Sequence, residues 1–287
     1  MRLAFSTLGI PGTPVTDVVR LAVDHGYHGV ELRAHPEEPV HTGLSLERRA
    51  DVVERFKAAG VEILSLAGYV RVAEAGEDEP VLAELRTLLA LARDLGAPFV
   101  RVFPGGGDQS AEEADATAAR RLGAIAPHAA DLGVRVLLET HDSHRRGADV
   151  ARIIGPVGHR NVGALWDVMH TWLAGEEPAA SYAALAPQLG YVQVKDIASA
   201  EDSAPLPLGA GALPLAECLR ALSRDGWDGW LCWEYEKRWH PQAAELPALL
   251  TPARDHLLRL LAEAKAEAAG AGAELPRADG TGAAGAS

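Results

Sequence analysis

The sequence predicts a single α/β domain folded as a closed (β/α)8 barrel, and three observations carry that reading. Short β-like runs alternate with longer amphipathic stretches along nearly the whole chain. Eight such runs can be counted, one for each strand of a closed barrel. The 287 residues, 48% of them hydrophobic, are enough for one large core, and barrels of about 250 residues are ordinary single domains.

The β-like runs lie near residues 3–6, 29–33, 61–67, 99–103, 134–139, 162–167, 191–195 and 231–236. Amphipathic stretches at 16–25, 46–59, 81–95 and 111–132 read as helices between them, with Leu85, Leu88, Leu89 and Ala92 at helical spacing. Gly26, Gly60, Gly96, Gly133 and Gly190 each precede a strand and read as helix ends. A doubly wound open sheet fits less well, because no GxGxxG follows the first strand. Gly105-Gly106-Gly107 after the fourth strand reads as a flexible loop. The barrel is expected over residues 1–265. From 266 to 287 the chain is rich in Ala and Gly without periodicity, which predicts a disordered tail.

Composition narrows the function. A formal net charge of −13 argues against a nucleic-acid partner, which usually meets a basic surface. No apolar run approaches the roughly 18 residues of a membrane helix, and no signal peptide is visible, so a cytoplasmic location is expected. Cys218 and Cys232 lack CxxC partners and read as buried thiols. Homo-oligomerisation stays open.

In such barrels chemistry sits at the C-terminal ends of the strands. The fifth predicted strand ends in Glu139 and the sixth in Asp167. The seventh carries Gln193 and the eighth Glu234. Side chains alternate along a strand and neighbouring strands lie about 4.8 Å apart, so these residues should converge. Three carboxylates alone would repel one another; a divalent cation removes the conflict. Oxygen donors from three carboxylates and an amide suit Mg2+, Mn2+ or Co2+. A lone strand-end carboxylate is more often a helix cap or salt-bridge partner, and Asp167 could cap the next helix. Four polar residues on four successive strands favour a shared site.

At these residues the sequence resembles the xylose isomerase-like TIM barrel superfamily, in its sugar phosphate isomerase/epimerase branch. The segments that carry the resemblance are Gly29-Val30-Glu31-Leu32, Leu137-Leu138-Glu139-Thr140-His141, Trp166-Asp167-Val168-Met169-His170, Val192-Gln193-Val194-Lys195-Asp196 and Trp233-Glu234. The resemblance implies that Glu139 and Glu234 are both metal ligands and acid/base groups, that Asp167 is a ligand only, and that His170 binds substrate oxygens. Many relatives have histidine where Gln193 stands. Glutamine looks more like the hydroxypyruvate isomerase-like branch and some dehydroshikimate dehydratases, and an amide oxygen can ligate the same ion. No arginine accompanies the stretch from Pro205 to Gly211, so a phosphorylated substrate is not supported.

The expected activity is proton transfer through an enediolate on a small keto-sugar or hydroxy-keto acid, as an isomerase or epimerase. A dehydratase of the inosose or 3-dehydroshikimate type is the alternative. An endonuclease IV-like enzyme would need a histidine-rich metal cluster and basic surfaces. A sugar-binding barrel without catalysis would not need both glutamates. Lys195, Glu31 and Arg101 are further candidates for substrate contact, each with an ordinary ion pair as the competing explanation. His141 and His144 suit supporting roles behind Glu139. His35 and His41 read as exposed loop residues, and Trp172 and Trp239 as candidate pocket walls.

Overall fold

A computed structural model describes residues 1–273 of the chain. Strands β1 (Arg2–Ser6), β2 (Gly29–Arg33), β3 (Glu62–Arg71), β4 (Phe99–Phe103), β5 (Arg135–Glu139), β6 (Val162–Asp167), β7 (Leu189–Val194) and β10 (Trp230–Trp233) form the barrel. Each pairs in parallel with its neighbours, and β1 closes the ring by pairing with both β2 and β10. A two-stranded antiparallel hairpin, β8 (Ile197–Ser199) and β9 (Asp202–Pro205), follows β7 and was not legible in the sequence pattern.

Helices α1 (Val15–Asp24), α2 (Leu46–Ala59), α3 (Asp78–Leu95), α4 (Ala111–Asp131), α5 (Gly147–Val157), α6 (Val168–Leu173), α7 (Pro178–Leu185), α8 (Leu215–Arg224) and α9 (Leu246–Ala273) accompany the strands. Local signals set their ends. Ser45 and Ser110 cap α2 and α4 through their side-chain oxygens, and Glu113 completes a capping box with Ser110. Gly26, Gly60, Gly96 and Gly133 take the left-handed conformation that lets a helix turn into the next strand.

Gly190 differs from that expectation. It lies inside β7, where a Cβ would come within 2.3 Å of Leu137 Cδ1, so glycine there makes room for the barrel filling. The predicted tail also begins too early. Helix α9 continues through 266–273, because Ala-rich sequence without an apolar stripe still has high helix propensity. Residues 274–287 lie outside the described residues.

The strand period of two organises the interior. Ala4, Leu64, Leu137, Leu165, Tyr191 and Cys232 form one inward-facing apolar layer. Two residues further along their strands come Ser6, Glu139, Asp167, Gln193 and Glu234. The layer below is therefore dry and the layer above is polar, and all of these polar residues are buried. Cys218 and Cys232 are free, buried thiols. None of the described helices is long and apolar enough to cross a membrane.

Candidate active site

The structure brings together the four residues expected to share a site. Glu139, Asp167, Gln193 and Glu234 come from adjacent strands or from the residue that follows one, and the ladder places Asp167 beside Gln193 and Gln193 beside Cys232. Above them opens a cavity of about 300 Å³, lined among others by Arg101, Glu139, His141, His170, Glu234 and Trp239. A second depression, of about 340 Å³, is lined by α1, α2 and the loops that precede them and includes none of these four residues.

Asp167 plays two parts through its two oxygens. Oδ1 accepts the N–H groups of Met169 (2.8 Å) and His170 (3.4 Å), so the residue does cap α6 as its position suggested. Oδ2 is buried with no well-directed hydrogen bond; the Lys195 ammonium lies 2.7 Å from it and His170 Nε2 4.0 Å. Gln193 Nε2 donates to Glu234 Oε1 at 3.0 Å and to Glu31, while its Oε1 is buried without a partner. An unpartnered amide oxygen among carboxylates is what a hard or borderline cation needs. The donor set therefore fits a divalent metal ion. Glu139, His141 and His170 also bring one ligand atom each within 4.8 Å of one another, so nitrogen donors are within reach of the same carboxylate.

Fixed cations balance these acids. Arg101 Nη1 donates to Glu139 Oε2 at 2.8 Å, both side chains being buried. Burial pushes the Glu139 carboxyl up to about 7, against the lowering influence of Arg101 and His141. Lys195 Nζ donates to Glu234 Oε2 and, at 2.6 Å, to Glu236 Oε1. Burial alone would lower its pKa, but Asp167, Glu234 and Glu236 outweigh burial and hold the ammonium charged. For His170, burial and the nearby His141 and Lys195 keep the pKa well below the usual imidazole range, so it is neutral near pH 7.

A stack of planar groups forms one wall. The Arg101 guanidinium lies 4.1 Å from the Phe103 ring centroid, Phe103 lies 4.2 Å from His141, and His141 lies 4.2 Å from His170. The loop that carries His141 is pinned from below. Gly105 and Gly106 donate their N–H groups to Asp142 (3.0 Å) and Ser143 (2.9 Å), and His144 bonds Asp115 at 2.9 Å. The Gly105–Gly107 run is therefore a docking ledge for the β5–α5 connection, not a free loop. Asp142 takes the left-handed conformation at φ 35° to make this bend.

Expectations for substrate contact divide. His170 and Arg101 line the cavity. Lys195 and Glu31 do not: Lys195 is engaged by three carboxylates, and Glu31 lies fully buried between Tyr191 and Gln193. Of the two tryptophans, Trp239 lines the cavity and Trp172 packs against the core. The Pro205–Gly211 stretch also has a role. Gly209 and Gly211 donate to the buried Asp196 carboxylate at 2.9 Å each, and a Cβ on Gly211 would fall 2.3 Å from Asp196 Oδ1. Tyr69, Arg145, Ser203 and Glu236 reach the cavity from other loops and strand ends. Their sequence neighbourhoods carried no signal.

Residues 19–259 match the family described as the xylose isomerase-like TIM barrel. The chain belongs to that family. Among relatives of this xylose isomerase-like barrel, the 3-dehydroshikimate dehydratase of Bacillus anthracis is 25% identical over 194 residues, covering 65% of this chain and 68% of that protein. A Streptomyces coelicolor protein provisionally named a hydroxypyruvate isomerase is 29% identical over 192 residues, covering 62% of this chain and 67% of its own. The IolI protein, solved with a bound zinc atom, superposes with a TM-score of 0.78 at 19% identity over 92% of this chain and 99% of that one. That likeness shows the shared fold. The named relatives are enzymes.

Proposed function

We propose that this xylose isomerase-like barrel is a metal-dependent enzyme that moves a proton next to the carbonyl of a small hydroxy-keto substrate, as an isomerase or epimerase. The observation that carries the reading is the buried Gln193 Oε1, which has no hydrogen-bond partner and sits on the strand between β6, which carries Asp167, and β10, which Glu234 follows. Glu139, Asp167, Gln193 and Glu234 would hold one Mn2+, Mg2+ or Co2+. Such an ion would supply Lewis acidity, polarising a substrate carbonyl and offsetting the negative charge that proton loss leaves. The zinc in the IolI protein is consistent with such a centre.

The chain's own residues supply the rest. Glu139 and Glu234 both line the cavity, and one removes the proton while the other, or the same one, returns it. Arg101 holds Glu139 in place by a hydrogen bond. Lys195 holds Glu234 in the same way. His170, neutral, can donate or accept a hydrogen bond from a substrate hydroxyl, and the Phe103–His141 wall limits water. Return of the proton to the opposite face epimerises, and return to the neighbouring carbon isomerises.

One observation favours dehydration as a second reading. Arg101 and Arg145 both reach the cavity. A carboxylate substrate suits them, and one relative named above is a dehydratase of 3-dehydroshikimate. Loss of a β-hydroxyl from the same intermediate gives that product.

Chelation tests the metal. Turnover is expected to vanish and the melting temperature to fall, with Mn2+, Co2+ or Mg2+ restoring both. Full activity in a preparation shown metal-free by elemental analysis contradicts the reading.

A further inference from the structure

Gln193 has a choice that a carboxylate ligand does not. Its amide ends in one acceptor oxygen and one NH2 group of nearly the same shape. A cation is attracted by the oxygen and repelled by the NH2, so the flip state decides whether Gln193 is a ligand or an obstacle. Nothing in the amide itself settles the choice.

The surroundings settle it. Gln193 Nε2 lies 3.1 and 3.2 Å from the two oxygens of Glu31 and 3.0 Å from Glu234 Oε1. The amide has two N–H groups, and both point at carboxylates. A flipped amide would set its oxygen against two buried carboxylates and deprive both of the donor they now share. Glu31 is itself held in place. Tyr191, one strand position before the amide on the same face, donates its hydroxyl to Glu31 Oε2, and Glu31 is completely buried. It is not among the residues that line the cavity.

We propose that Glu31 is a positioning residue that, by accepting the Nε2–H of Gln193, locks the Oε1 of that amide toward the metal position and so raises affinity for the divalent ion. The inference rests on Gln193 being a ligand, as argued above. Carboxylates behind a metal-binding imidazole act in an analogous way, and losing such a partner usually costs 10–100-fold in affinity. Here the carboxylate fixes which end of an amide faces the ion.

A thermodynamic cycle read by calorimetric Mn2+ titration tests this, with metal-free melting curves as the check on folding. Glu31→Leu should weaken Mn2+ binding by about 10-fold or more. Glu31→Gln should recover part of the loss, because its amide oxygen can still accept the Nε2–H. Gln193→Met should weaken binding on its own. Adding Glu31→Leu to Gln193→Met should then change affinity by less than about twofold, since no amide remains to orient.

If Gln193→Met weakens binding and Glu31→Leu does not, the orienting role is wrong and the ligand assignment stands. If Gln193→Met has no effect, the ligand assignment fails and the inference falls with it. An equal loss from Glu31→Leu in both backgrounds shows that Glu31 acts by another route and overturns the proposal. Should Glu31→Leu not fold, the wild-type protein decides by NMR. Slow solvent exchange of the Gln193 side-chain NH2, assigned by its absence in Gln193→Met, supports the lock, and exchange at the rate of a free amide overturns it.

Discussion

Glu234→Gln is expected to lower turnover by about 100-fold or more, the usual cost of losing a general acid or base. The substitution keeps an oxygen donor and nearly the same volume but cannot take a proton. Its amide oxygen can still accept from Gln193 Nε2, which lies 3.0 Å from Glu234 Oε1. Mn2+ should therefore still bind in a titration, though less tightly. The loss should fall on kcat and not chiefly on KM, because the interaction removed is made during proton transfer. Unchanged turnover in a folded, metal-loaded Glu234→Gln would remove the residue from the chemistry.

Lys195→Met should destabilise the metal-free protein by roughly 3 kcal/mol, the scale for breaking a buried ion pair by removing one partner. Lys195 is buried and its ammonium is the contact shared by Asp167, Glu234 and Glu236. Methionine fills much of the stem's volume, so packing loss is a small part of the effect. The carboxylates left behind repel one another, and a divalent ion supplies the missing charge. Saturating Mn2+ should therefore narrow the stability gap to wild type, as preferential binding to the folded state requires. Denaturant unfolding with and without the ion measures both quantities. A variant as stable as wild type in the absence of metal would show that the carboxylates do not depend on Lys195.

The barrel and the core of its site were legible because both rest on short-range patterns. Strand alternation puts Leu137 and Glu139, Leu165 and Asp167, or Cys232 and Glu234 on one face, and closure of the barrel does the rest. What sequence spacing does not encode is depth and long-range company. Glu31 and Arg101 looked alike at strand ends. Yet Glu31 is taken up by the amide of Gln193 while Arg101 reaches the cavity. His141 looked like a supporting residue behind Glu139 and instead stands on the cavity wall, because Asp142 and Ser143 tie its loop to Gly105 and Gly106, some 37 residues earlier. Gly190 and the 266–273 segment were misplaced for a simpler reason. Glycine before a strand and glycine within one look the same, and an alanine-rich run is compatible with helix as well as with an unstructured tail.

The central claim is that the site moves a proton on carbon. It is tested most directly by following metal-loaded enzyme in heavy water by NMR, with ketoses, hydroxypyruvate, inososes and 3-dehydroshikimate as substrates. Solvent deuterium should appear at the carbon next to the carbonyl of whichever substrate turns over, only when metal is present, and Glu234→Gln should suppress it. A substrate converted to product with no deuterium incorporated at that carbon would contradict the account.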